Sequence, residues 1–281
     1  MLTLFHSPGT CSLGIHCLLE EIGAPYELRL VDVTKGQQHS PEFVAVNPKS
    51  KVPALNREQG GLLTEWPAIA TWLALTHPQT HLLPTDAEGM ARALESVDYV
   101  VATVHMQGFT RIFKPDHFST NEADHPAIRE KGRQIFEKGL ASFNEKLGGD
   151  AYLGGERPSI ADFALFYIEF WRVMRMKLEL PVQLAGHFTR MKQRPAVARA
   201  LAGLGDDDDD MPDAPGGDGG ALGSDARIGL GDKVPLLVHG LCCGKLLQLL
   251  QAVQFPSGGI LLGLQKDDLG PGLIGGGAES L

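Results

Sequence analysis

Apolar residues in the first quarter of the chain alternate between strand-like and helix-like spacing, and each change of period marks an element. Leu2-Thr3-Leu4-Phe5 reads as a first strand. Pro8 and Gly9 break it, and Thr10, Cys11 or Ser12 can cap a helix over Ser12–Gly23 that carries Ile15, Leu18, Leu19 and Ile22. Tyr26–Val31 alternates apolar with charged residues, as a second strand does, and Pro41–Val46 has room for one or two helical turns. Val52–Asn56 and Leu62–Thr64 flank Gln59-Gly60-Gly61, a hairpin signal. A helix then follows through Ala68, Ile69, Trp72, Leu73 and Leu75. The order strand–helix–strand, hairpin, helix predicts a small mixed sheet with helices packed on it.

Pro78 to Asp86 is a Pro- and Thr-rich connector, and beyond it the strand signals stop. The segments 88–113, 126–147, 159–175 and 187–201 all carry helical spacing of apolar residues, which predicts a bundle. Ser159-Ile160-Ala161-Asp162 has the form of a capping box ahead of an apolar run, giving Asp162 a buried structural role. After Gly205 the chain changes character: an acid run, Asp206–Asp210, leads into Gly-, Pro- and Asp-rich sequence without periodicity. Such composition predicts disorder, because it cannot bury enough apolar surface to offset the entropy of ordering. The organisation is therefore an α/β domain over 1–79, an all-helical domain over 87–204, and a low-complexity tail over 205–281. Whether that tail has a function or is an accidental extension stays open.

Charge sharpens this division. From Gly205 onward there are twelve acidic and four basic residues, whereas Met1–Leu204 holds 22 acidic and 21 basic. The net charge of -9 thus belongs almost wholly to the tail, and the body lacks the basic stripe that nucleic-acid binding needs. Val234–Val253 approaches spanning length, but His239, Lys245, Gln248 and Gln251 interrupt it, so no membrane helix is expected. No export signal opens the sequence. Cys11 and Cys17 fit neither a C-x-x-C nor a zinc pattern, Cys242-Cys243 reads as incidental, and no metal is expected. These features point to a reducing cytoplasm.

The chemistry-bearing segment is Ser7-Pro8-Gly9-Thr10-Cys11-Ser12-Leu13. A cysteine where a strand turns into a helix faces unpaired N–H groups and the positive end of the helix dipole, so its pKa is expected to fall. His16 and Cys17 read as packing residues. Phe109, Phe113, Phe166, Tyr167 and Trp171 sit at helical spacing and suit either a core or an apolar substrate wall.

With this run, the Val52-Pro53 step and the turn at Glu65 in view, residues 1–204 resemble cytosolic glutathione transferases, most closely the bacterial beta class. The resemblance implies a thioredoxin-like N-terminal domain, a helical C-terminal domain and a homodimer. Cys11 lies where that class has its active-site cysteine. Val52-Pro53 resembles the segment in which a cis-proline presents the valine backbone to glutathione, and Lys51 precedes it where glutamine is common. Glu65 is placed like the acid whose neighbour, here Trp66, caps the third helix and receives the glutamyl carboxylate. His105 resembles the histidine that reaches the cysteine from the helical domain, Asp98 the polar residue offered to glutathione's amino group across a dimer, and Lys35 a residue within approach of the glycyl carboxylate. Two departures stand out. Trp66 replaces a small residue, so an indole is expected to crowd or cover the glutamyl pocket. Met106 replaces a lysine that often follows the histidine.

The function implied is conjugation of reduced glutathione, as co-substrate, to small electrophiles. Cys11 would then hydrogen-bond the glutathione sulfur, assisted by Ser12 or Thr10. Two alternatives remain: a glutathione-dependent thiol–disulfide reductase or peroxidase acting through Cys11, or a non-catalytic binding or regulatory protein of the same fold.

Overall fold

A computed structural model of the chain describes residues 1–203. The expected disordered tail, its apolar stretch and Cys242-Cys243 lie outside the described residues.

Four strands form one sheet in the order β2-β1-β3-β4: β1 (Leu2–His6), β2 (Tyr26–Leu30), β3 (Ala54–Arg57) and β4 (Gly61–Thr64). β1 runs parallel to β2 and antiparallel to β3, and β3 turns back antiparallel to β4. The parallel step needs a crossover, which α1 (Ser12–Ile22) supplies. Alternation along β1 divides the core. Leu4 and its β3 partner Leu55 face the main core, while Phe5 and Ala54 face a smaller cluster with Val31 and with Phe43 of α2 (Pro41–Val46). The peptide bond Val52–Pro53 ahead of β3 is cis. α3 (Trp66–Thr76) completes this thioredoxin-like half.

The second half is helical. α4 (Ala87–Asp98) starts on an Asp86 side chain that accepts from the Gly89 N–H at 2.8 Å. It continues without a break through a π-helical stretch over Tyr99–Phe109 into α5 (Thr110–Phe113). α6 (His125–Leu147) packs along that stretch. α7 (Ile160–Phe170) is buried at every position, the mark of a helix surrounded by others, and it too runs on as a π turn over Trp171–Arg175. The single helix expected over 187–201 is instead two, α8 (Val182–Gln193) and α9 (Pro195–Ala202). Pro195 forces the break, because the residue before a proline is pushed out of helical conformation, and Arg194 is extended at φ -68°, ψ 130°.

Asp162 fulfils the capping-box expectation and exceeds it. Its carboxylate accepts from the Ser159 N–H (2.7 Å), the Ser159 hydroxyl (3.0 Å) and the Leu153 N–H (2.7 Å), and it also meets His187 Nε2 of α8 at 3.2 Å. On the other side of that imidazole, Nδ1 lies 2.9 Å from Glu169 Oε1. Asp162, Glu169 and His187 are all fully buried.

The two halves meet on α1, whose residues Ser12–Leu19 are all buried. Gly14 permits the approach: a Cβ there would sit 2.7 Å from the Phe163 carbonyl of α7 and 3.0 Å from the Trp66 ring. α9 closes the other side, with Arg194 paired to Glu21 and Arg199 to Glu20.

Candidate active site

The turn from β1 into α1 is a knot of short hydrogen bonds. Ser12 Oγ donates to the Ser7 carbonyl (3.0 Å), accepts from the Ser7 N–H (3.1 Å), and lies 2.9 Å from His6 Nδ1. Thr10 Oγ1 donates to the same Ser7 carbonyl at 2.8 Å. Ser12 is therefore fully buried and committed to the turn, which corrects the expectation that its hydroxyl could assist at the sulfur. Two indoles grip this turn from opposite halves of the molecule. Trp66 Nε1 donates to the Cys11 carbonyl at 3.1 Å, and Trp171 Nε1 donates to the Gly9 carbonyl at 2.7 Å.

Trp66 thus does not stand over a pocket. Its side chain is 4 % exposed, turned into the core against Tyr167 and Gly14, so the expectation that the indole covers the glutamyl pocket is corrected. A tryptophan here does with its N–H what a small residue cannot do.

Cys11 occupies the N-cap position of α1 without a side-chain cap, and its thiol is 3.7 Å from the Val52 carbonyl, to which it donates. The expected fall in its pKa does not occur. Burial pushes the thiol up to about 12, overriding the N–H groups of Cys11 and Ser12 and the charge of Lys51, all of which pull downward. The residue keeps some surface at the cleft, yet protein atoms crowd the sulfur. Cys11 is a protonated thiol at neutral pH.

His105 lies on the π-helical stretch. Its ring meets the edge of Trp171 at 4.7 Å between centroids, and Nδ1 is 3.5 Å from the Tyr167 hydroxyl. Burial, with Lys51 adding, lowers its pKa to about 4, so the imidazole is neutral at pH 7. Lys51 is itself exposed, and its charge reaches both Cys11 and His105.

The remaining candidates fall into two sets. Val52, cis-Pro53 and Glu65 lie on the same side of the sheet's end as Cys11, at the starts of β3 and α3. Glu65 holds φ 72°, ψ 122°, a conformation that side chains rarely adopt, and its carboxylate pairs with Lys49 Nζ at 2.7 Å. Lys35 and Asp98 are not drawn in. Lys35 is exposed and paired with Asp32 at 3.0 Å, and Asp98 is exposed at the end of α4.

Beside Cys11 opens a cavity of about 390 Å³ lined by Cys11, His105, Phe109, Phe113, Trp171 and Lys114, among others. Of the aromatic residues singled out in the sequence, Phe109 and Phe113 are wall, Phe166 is core, and Trp171 is both wall and clamp. Thr10, Val33, Thr34, Thr110 and Arg175 complete the lining. Nothing in the sequence alone marks Lys114 and Arg175 as lining residues. Each lies one residue or one turn beyond an aromatic of the wall, Phe113 and Trp171, an adjacency that by itself assigns no role.

Comparison with known proteins identifies the fold. Residues 1–74 match the glutathione S-transferase N-terminal domain, and residues 126–203 match the C-terminal domain of the same family. Glutathione S-transferase GstA of Escherichia coli O157:H7 is 37 % identical over 205 residues, 72 % of this chain and 98 % of that protein. A glutathione transferase homologue from Sulfitobacter, solved with bound glutathione, superposes with a TM-score of 0.66 at 27 % identity, over 72 % of this chain and 98 % of that one. The bacterial beta class enzyme of Sphingomonas chungbukensis gives a TM-score of 0.60 at 28 % identity, over 72 % and 98 %. With both halves of the fold matched in order, the chain belongs to the glutathione S-transferase family.

Proposed function

We propose that this protein conjugates reduced glutathione to small electrophiles, with Cys11 as a hydrogen-bond donor to the glutathione sulfur rather than as a nucleophile. The observation that carries this reading is the state of Cys11: a thiol held up to about 12, at the mouth of an apolar cavity, at the N-terminus of a buried helix. A thiol that keeps its proton can donate it in a hydrogen bond to an incoming thiolate, and conjugation needs that thiolate. The α1 dipole and Lys51, which fail to ionise buried Cys11, stabilise an anion bound in front of it. His105, neutral above about pH 4, adds a second N–H donor without needing to ionise. Val52 and the α3 N-terminus after Glu65 offer the tripeptide backbone and glutamyl carboxylate their partners. The thiol–disulfide alternative draws no support from the geometry. It needs an ionised Cys11, and Cys17, the other described cysteine, lies buried inside α1 with its pKa pushed up by burial. By family likeness the reading includes a homodimer in the cytoplasm, with Asp98 offered to glutathione's amino group across the dimer and Lys35 near its glycyl carboxylate.

The test is calorimetric titration of the full chain with glutathione, together with thioether formation from a chlorodinitrobenzene across pH. Cys11→Ala is expected to keep binding, to lower kcat/KM roughly ten-fold (about 1.4 kcal/mol of lost donor stabilisation), and to move the rising limb of the pH profile upward. Absence of binding at millimolar glutathione overturns the reading. So does a mixed disulfide between Cys11 and glutathione as the species that turns over.

A further inference from the structure

The cavity beside Cys11 has a charge pattern that neither family membership nor the conjugation reaction requires. Its lining includes Cys11 and His105 but not Lys51, Val52, Pro53, Glu65 or Trp66, so it lies beyond the strand edge assigned to glutathione. At about 390 Å³ it has the size of a site for a small organic molecule.

One wall is a ladder of flat rings. Phe113 stacks on Phe109 at 4.3 Å, and Phe109 on Trp171 at 4.1 Å, both at 23° between planes. Phe109 and Phe113 are only partly buried, so edge and face remain for another ring. Lys114 directly follows the last rung, exposed, at the end of α5. Arg175 lies on the same cavity, one turn past Trp171. None of the eleven lining residues is acidic. Lys114 beside a ring stack, in a lining that holds no acidic residue, is selective: it favours an aromatic that carries a negative group over a neutral one.

We propose that the second substrate is a flat aromatic electrophile bearing an anionic substituent, a carboxylate or sulfonate, with its ring on the Phe109–Phe113 ladder and its charge at Lys114. The proposal rests on the conjugation reading above and adds the substrate class. For an aryl chloride the glutathione thiolate forms the C–S bond, chloride leaves with the C–Cl electron pair, and the proton lost from glutathione passes to solvent.

The experiment compares kcat/KM of the full chain for 4-chloro-3,5-dinitrobenzoate and for neutral 1-chloro-2,4-dinitrobenzene, after each rate is divided by its uncatalysed reaction with glutathione. The parent is expected to favour the anion by roughly two- to five-fold, the upper range of one solvent-exposed ion pair. That ratio should fall toward one in Lys114→Gln, below one in Lys114→Glu, and progressively with added salt in the parent. Using a ratio within each variant removes effects on folding or on glutathione binding. A parent ratio near one, or a ratio unchanged in Lys114→Glu, overturns the substrate class while leaving conjugation standing. Turnover of neither electrophile overturns the conjugation reading, and this one with it.

Discussion

Removing the Asp162 carboxylate is the sharpest test of how the helical half is held. The side chain accepts four donors from three parts of the chain: Leu153 N–H, Ser159 N–H, Ser159 Oγ and His187 Nε2. Asp162→Ala leaves the first three without an acceptor in a site that excludes water, at about 1 kcal/mol each. It also takes one of two carboxylates from a buried imidazole. Loss of the sole partner would cost about 3–5 kcal/mol, and Glu169 still faces Nδ1, so roughly half of that applies. The expected loss is about 5 kcal/mol, a large part of the stability of an ordinary domain. Asp162→Asn keeps the volume and one accepting oxygen but turns an amide N–H2 toward a donor, and is expected to lose about half as much. Urea titration at pH 7, followed by fluorescence of Trp66, Trp72 and Trp171, reads this directly. With a slope of about 2 kcal/mol per molar, the midpoint should drop by about 2.5 M for Ala and about 1.2 M for Asn. A drop below about 0.5 M for Ala would refute the assignment of Asp162 as the keystone of α7. Because α7 carries Tyr167 and leads into Trp171, turnover should fall in both variants at urea concentrations the parent tolerates.

Two further outcomes follow from the same geometry. Burial opposes charge on His187, but Glu169 and Asp162 outweigh it and hold its pKa up to about 9. The folded state thus binds this proton more tightly than the unfolded chain, so the contribution is complete below about pH 6.5 and is lost as pH climbs through 9. Glu169, raised by burial to about 7, acts in the same direction at lower pH. The stability gap between the parent and His187→Gln should therefore be wide at pH 6 and narrow at pH 9.5; a gap independent of pH counts against a charged imidazole. The indole clamp predicts that Trp66→Phe and Trp171→Phe each cost about 1–3 kcal/mol of stability. Because both hold one turn, their double-mutant cycle should show coupling above about 0.5 kcal/mol, and strict additivity would mean the two hydrogen bonds act separately.

How much of this was legible depended on the range of the interaction. Strand and helix order in the first half followed from local periodicity, and Pro41–Val46 and Ser12–Ile22 emerged nearly to the residue because Pro41, Ser12 and Gly23 punctuate them. The break at Arg194 was missed because apolar spacing runs through it unchanged, and only Pro195 announces it. The π-helical stretches left no trace, since a slightly longer turn shifts the apolar face too gradually to break a 3.6-residue pattern. At the site, residue types could be read but environments could not. A helix dipole is visible in sequence whereas burial is not, and at Cys11 burial wins. Likewise nothing local tells whether Trp66 faces outward or inward; that is decided by Gly14 and Tyr167, distant in sequence. Asp162 was legible as a cap, while its partner His187, 25 residues on, was not.

Gly14 has a consequence for how this architecture can vary. Because α1 meets α7 backbone to backbone at Gly14 and the Phe163 carbonyl, the width of the seam between the halves is fixed by the lack of a single carbon atom. Two modules joined this way cannot be traded freely. A helical half taken from a relative whose first helix carries alanine at this position would arrive shaped for a wider seam, and would displace Trp66 and the turn it holds. Diversification of substrates is thereby channelled into the far wall, where Phe113 and Lys114 stand clear of the join.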